Sequence, residues 1–129
     1  MINSSAFNYI NILDKAADAS WLRQKLISNN IANVSTPNYK RKDIEFQTYL
    51  ARELQGSGTL DQRVANVNLD SLKASVYTDN SNLSYRLDGN NVDIDTESAM
   101  EAENQIRYYA LIDLMSQEFS RIKTVLNDK

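Results

Sequence analysis

The first third of the chain carries two apolar rows on what reads as one helix. Ile10, Leu13, Ala17, Ser20, Gln24, Ile27, Ile31 and Val34 recur at alternating spacings of three and four, a heptad seam. Ile12, Ala16, Ala19, Leu22, Leu26, Asn30 and Asn33 form a second row, roughly 200° round from the first at about 100° per residue. The predicted helix covers about residues 5–34, with Ser4 or Ser5 as its cap. At 1.5 Å rise it is about 45 Å long. Ordinary globular helices run roughly 8–20 residues, so this length points to a coil or bundle. Rows on opposite sides need two partners. An uncovered Leu or Ile forfeits about 1.5–3 kcal/mol. Either other copies or related proteins cover the second row, or residues 46–54 and a hairpin fold back onto it. The first alternative predicts a lone subunit that is only partly folded, with helical termini gained on assembly.

The helix is expected to stop in Ser28–Tyr39. Asn29, Asn30 and Asn33 crowd its last turns, and asparagine amides compete for backbone groups. Thr36-Pro37-Asn38-Tyr39 has type II turn chemistry, with Pro37 presetting φ and Asn38 tolerating a positive φ. The residue before a proline is pushed out of the helical region. Asn30 and Asn33 inside a seam suit amide bonds between subunits, because polar groups there fix register.

Farther along, Lys40, Arg41, Lys42, Asp43 and Glu45 read as a solvated loop, or else as a contact with acids on a neighbouring subunit. Residues 35–54 are expected as loop and weak helix. Residues 55–82, opened by Gln55-Gly56-Ser57-Gly58-Thr59, are expected as a flexible, loosely ordered middle. Leu83, Tyr85 and Leu87, then Val92 and Ile94, alternate with polar residues around Asp88-Gly89-Asn90-Asn91, which predicts a hairpin over 83–95. Asp95 or Thr96 is expected to cap a second long helix over about 96–127. Its apolar face is Tyr108, Leu111, Ile112, Met115, Phe119, Ile122 and Leu126, with Ile106, Tyr109, Leu114 and Val125 outside it. The fold class is mainly α: one rod-like domain over 1–129, with two long terminal helices in a coiled-coil-like core, a short β-hairpin and a loosely ordered middle.

Composition narrows the function. The 129 residues suit one domain, and a net charge of −3 supplies no basic field for nucleic acid. The chain has no cysteine and no histidine, which removes disulfides, thiol nucleophiles, zinc ligands of those types and the usual general base near neutral pH. Asp88, Asp93, Asp95 and Glu97 lack calcium-loop spacing, because Gly89 follows the first acid directly; turn and cap duty explains them better. Neither a catalytic group nor a cofactor site is expected. No long apolar run predicts a spanning helix, no basic amphipathic face predicts a membrane-surface helix, and the N-terminus lacks the pattern of a cleaved secretory signal. Trp21, Tyr108 and Tyr109 read as packing residues rather than base-stacking platforms.

Leu22-Arg23, Ile27-Ser28-Asn29-Asn30-Ile31-Ala32-Asn33 and Thr36-Pro37-Asn38-Tyr39-Lys40 together resemble the N-terminal signature of bacterial flagellar rod and hook proteins. Asn38 stands where that family more often has glycine, and asparagine keeps the positive-φ turn available. Asp88-Gly89-Asn90-Asn91-Val92-Asp93 and Glu103-Asn104-Gln105-Ile106-Arg107-Tyr108 resemble the proximal-rod branch, with a sister rod protein such as FlgC as the alternative within the family. The resemblance implies a non-enzymatic subunit of the basal-body rod, outside the cytoplasmic membrane, exported by the flagellar type III apparatus without a cleaved signal. It implies self-association through the terminal helices, with the MS-ring protein FliF and the adaptor FliE below and rod proteins such as FlgC and FlgF beyond. It also implies torque transmission and enclosure of the export channel. The residues it marks for assembly are Leu22, Ile27, Asn29, Asn30, Ile31, Ala32, Asn33, Thr36, Pro37, Asn38, Tyr39, Gly89, Asn91, Val92, Ile106, Tyr108, Leu111, Met115, Phe119 and Ile122. Phe46 and Leu50 match a short apolar export signal, or ordinary i, i+4 packing. A cytoplasmic coiled-coil adaptor explains the seams equally well but not the turn signature.

Overall fold

In a computed structural model, described over residues 4–83 and 85–127, the chain is mainly helical. Helix α1 spans Ser4–Ala32 and α4 spans Ile94–Asn127. Between them lie β1 (Lys42–Glu45), α2 (Gln47–Glu53), α3 (Leu60–Ala65), a 3-10 turn (Leu69–Ser71) and β2 (Ser75–Thr78). The side chains of Ser4 and Ser5, named above as caps, lie outside the description.

α1 and α4 pack antiparallel. Asn30 meets Glu97, Gln24 meets Glu101, and Ser20 meets Asn104 in descending order along α1. The first seam largely faces this contact: Ile10, Ala17, Ser20 and Ile27 are buried and Leu13, Gln24 and Ile31 half-buried.

The second row has its cover within the chain. Ile12 and Ala19 join Phe46, Val64 and Leu72 in one core, with Tyr9, Ala16, Ile44, Tyr49 and Leu50 packed against it. The alternative that this row waits for other copies is therefore corrected. Val64 and Leu72 come from the segment expected to be loosely ordered. Instead it forms α3, the 3-10 turn and β2, and α3 opens on a full capping box of Thr59 and Gln62. Polar residues at 66, 68 and 70 hide this order in sequence: Asn66 ends α3, and Asn68 caps the 3-10 turn by accepting from the Asp70 N–H.

The antiparallel strand pair is also present, at a different place. β1 pairs with β2 in the register Lys42↔Thr78 to Glu45↔Ser75. The expected 83–95 hairpin includes Ser84, outside the described residues; its described residues form turns and bends before α4 begins at Ile94. Their apolar alternation does not line one sheet face, since Leu87 is fully exposed while Val92 is buried. The cap of α4 is Asp93, whose Oδ1 accepts from the N–H groups of Asp95 (3.0 Å) and Thr96 (3.3 Å).

Candidate functional site

The N-terminal signature and the Asp88–Asp93 run interlock. α1 ends at Ala32, and the Asn33 N–H bonds back to the Asn29 and Asn30 carbonyls. Thr36–Tyr39 closes a turn through Tyr39 N–H to Thr36 C=O (3.2 Å), and Asn38 adopts φ 62°. The 88–93 run clasps that turn. Asn38 N–H donates to the Asp88 carbonyl (2.8 Å). Asn90 Nδ2 donates to the carbonyls of Asn33 and Thr36, both at 2.8 Å, and so adds a second bond to carbonyls that already accept from the Thr36 and Tyr39 N–H groups. Asn91 Oδ1 accepts from Arg41 N–H (2.7 Å), while its Nδ2 donates to the carbonyls of Asp79 and Ser81. Gly89 has φ +77°, and a Cβ there would lie 2.5 Å from Asn38 Oδ1, so both conformation and space call for glycine.

Below this clasp sits a buried polar group. Asn30 is 0% exposed. Its Nδ2 donates to the Lys42 carbonyl (2.8 Å) and Glu97 Oε2 (3.2 Å). Its Oδ1 accepts from Lys42 N–H (2.9 Å) and Tyr39 Oη (3.0 Å). All four bonds of the amide are made inside the chain, so the expectation that Asn30 bonds a neighbouring subunit is corrected. Asn33 is likewise engaged locally, donating to the Asn29 carbonyl (2.8 Å) and accepting from Thr36 Oγ1 (3.1 Å). The Asn30 bonds anchor the outer edge of β1 to α1.

Glu97 is as buried as Asn30 and forms an ion pair with Arg41. Arg41 also reaches Asp43 (3.1 Å) and Asp79 (3.5 Å), and Arg23 bonds Asp43 at 2.9 Å. Burial disfavours charge on both Asp43 and Arg41. The Arg23 and Arg41 guanidiniums and the Ile44 N–H nevertheless hold the Asp43 carboxyl below its ordinary 3.8, and Glu97 and Asp43 raise the Arg41 guanidinium. Arg41 is thus neither a solvated loop residue nor a free contact, and Glu97, expected in turn or cap duty, serves a buried pair. Lys40 turns onto the Gly89 carbonyl (2.7 Å).

The other marked residues divide. Val92 and Ile27 are buried, Leu22, Ile31 and Tyr39 half-buried; Asn29, Ala32, Thr36, Pro37 and Asn38 lie on the exposed turn region. On α4, Tyr108, Leu111, Met115 and Ile122 are half-buried, whereas Ile106 and Phe119 are exposed with Tyr109, Leu114, Val125 and Leu126. Phe46 is buried in the core, with Leu50 half-buried against it. Sequence reasoning missed Arg23, Arg41, Asp43 and Glu97 as a set and Asn104 as a buried residue. Its only cue was that Arg23, Asn90 and Asn104 lie inside the quoted motifs. Among the described residues no cluster of acids has metal-binding geometry, and no helix is long and apolar enough to cross a membrane.

One flank of the helix pair stays bare. At about 100° per residue, Phe7, Trp21, Lys25 and Ser28 lie roughly opposite Ile12, Ala16 and Ala19 on α1. The middle segment covers only the latter side. The bare flank continues onto α4 through Tyr108, Ile112, Phe119 and Leu126, with the Trp21 and Tyr108 ring centroids 6.0 Å apart. Monomeric proteins seldom leave so many aromatic and aliphatic side chains open along one side.

Two antiparallel terminal helices, clasped by paired motifs and bare along one flank, thus frame the described chain. Comparison with known proteins gives its class. Residues 10–40 match the family described as flagella basal body rod protein. Over 91% of its length the chain is 41% identical to the flagellar basal body rod protein FlgB of Bacillus subtilis (strain 168), spanning 92% of that protein. It is 32% identical to FlgB of Borrelia hermsii, covering 91% of this chain and 94% of that one, and 31% identical to FlgB of Escherichia coli (strain K12), covering 81% and 82%. The chain belongs to the FlgB family of flagellar basal body rod proteins. Membership places it in the basal-body rod as a structural component of motility, in assembly with other basal-body components.

Proposed function

We propose that this chain is a non-enzymatic building block of the proximal rod that polymerises through its terminal helices. In this reading it joins the MS-ring protein FliF and the adaptor FliE to rod proteins such as FlgC and FlgF, passes torque and helps enclose the export channel. The observation that carries it is the division of the helix pair into a flank covered within the chain and a flank left bare. A bare flank of aromatic and aliphatic side chains gains from burial against a neighbour, while the clasp holds α1 and α4 in one register under load. Rigidity then comes from many seams acting in parallel. The subunit leaves the cytoplasm through the flagellar type III apparatus. Phe46 and Leu50 serve there as the export signal; Phe46 lies in the folded core, so the signal is read before the chain folds.

The test is complementation of a strain lacking its own FlgB. The chain should restore swimming and appear in purified basal bodies cross-linked to FliE and FliF. Trp21→Asp with Phe119→Asp should be exported and fold yet fail to enter the rod. Normal motility in that double variant, or absence of the unmodified chain from basal bodies, contradicts the reading. Export unaffected by Phe46→Ala with Leu50→Ala removes the signal from it.

A further inference from the structure

The strand pair has one closed edge and one open edge. Along β1, Asn30 holds both the N–H and the carbonyl of Lys42, so α1 seals that side. Among the described residues nothing seals β2, and every residue of Ser75–Thr78 is exposed. The ladder fixes which backbone groups face out. Asp79 N–H donates to the Arg41 carbonyl (2.9 Å), so Asp43 with Tyr77 and Glu45 with Ser75 are the bonded pairs of the register. The N–H and carbonyl groups of Val76 and Thr78 therefore point away from β1, where no described residue bonds them. Such an edge is a template for one more strand.

The charges beside the edge select that strand. Lys73 lies three positions before Val76 and Asp79 three positions after it. Lys73 is exposed and forms no ion pair with a described residue. Asp79 stands 3.5 Å from Arg41, in a cluster where Asp43, Asp79 and Glu97 outnumber Arg23 and Arg41. A second β2, run antiparallel with Val76 opposite Val76, sets each Lys73 across from the other copy's Asp79. The backbone groups of the two Val76 residues then bond each other, and Thr78 bonds Ala74. Sliding the copies until Val76 faces Thr78 keeps backbone bonds but sets Lys73 across from Ser81, with no charge gained.

We infer that β2 of one copy adds to β2 of a second copy as an antiparallel strand, about a two-fold axis at Val76. The contact is isologous and stops at two copies. Copies in one tube all point the same way, so this pair belongs to free subunits and must part before they are built in. That last step rests on the reading of the chain as a polymerising subunit; the pairing itself does not.

The bare flank is first silenced with Trp21→Asp and Phe119→Asp, so that only the edge can associate. Sedimentation of this chain should show a dimer that dissociates on dilution. Thr78→Pro removes an outward N–H and leaves the ladder to β1 whole. It should keep the unfolding midpoint and weaken the dimer about tenfold or more. Lys73→Asp sets acid against acid at both ends of the pair and should weaken it about tenfold. The chain has no cysteine, so introduced thiols report the register. Oxidation of mixed Ser75→Cys and Tyr77→Cys chains should link one kind to the other, because these positions face each other across the axis. Links between Tyr77→Cys chains alone overturn the register at Val76. A monomer at every concentration, or a dimer indifferent to Thr78→Pro and Lys73→Asp, overturns the pairing and leaves the rod reading intact. Edge-linked pairs within purified basal bodies overturn the claim that the pair parts.

Discussion

The two ends of the helix pair are held by different physics. At the α1 C-terminus, Asn30, Asp43, Asn90, Asn91 and Glu97 are buried, and directed bonds join segments far apart in sequence. Toward the α1 N-terminus, Ile12, Ala19, Phe46, Val64 and Leu72 form an apolar core on one flank, and the opposite flank is bare. Directed bonds tolerate one geometry only, so the polar end sets register. Apolar contact is adaptable, so the other end can take a neighbour in place of water. A subunit that must both keep its shape and be completed by copies benefits from separating these tasks.

Substitutions can break that division, beginning with the largest effect. Arg41→Met leaves Glu97 buried without its counter-charge and should cost about 3–5 kcal/mol, read as a loss of denaturant midpoint. Asn90→Ala removes one of the two bonds at each of the Asn33 and Thr36 carbonyls and orphans the Val92 N–H, and should cost about 2–3 kcal/mol in the same melt. Gly89→Ala, strained at positive φ and crowded by Asn38, should cost about 1–3 kcal/mol; Asn38→Gly in the same chain should recover part of it by removing the crowding atom. Acid should act at the polar end. The folded-state pKa of Asp43 is depressed, so its contribution is complete above the ordinary value of 3.8 and is lost as pH falls through the lower folded value. Asp43→Asn should flatten that acid limb. Smallest for the lone chain is Phe119→Ser, within about 0.5 kcal/mol, although assembly should suffer strongly. If Phe119→Ser unfolded the monomer as Arg41→Met does, the contrast between the ends would disappear.

Sequence patterning reached the apolar end more readily than the polar one. Both long helices follow from period-3.6 rows, and the Pro37-Asn38 turn follows from the φ preferences of its own residues. The Arg23–Asp43 and Arg41–Glu97 pairs span 20 and 56 positions, and no local periodicity marks which charge will meet which. In sequence, Asn30 reads as a polar residue in an apolar row, suited to an amide bond with a neighbouring subunit. Only the arrival of β1 beside it explains an amide there. The 55–82 segment looked structureless because its order comes from caps and from two buried residues, Val64 and Leu72, spaced for neither a helix nor a strand stripe. The strand pair is expected at 83–95 and lies elsewhere, because Lys42–Glu45 is charged and its partner lies 30 residues or more away in sequence.

Hydrogen exchange along α4, in dilute single chains and in assembled protein, tests the central claim most directly. Amides of residues 94–104, under the clasp, should be equally protected in both states. Those of residues 105–127 should exchange faster in the single chain and gain protection on assembly. Equal protection along the whole helix in the single chain, unchanged by assembly, would contradict the claim that neighbours complete this flank.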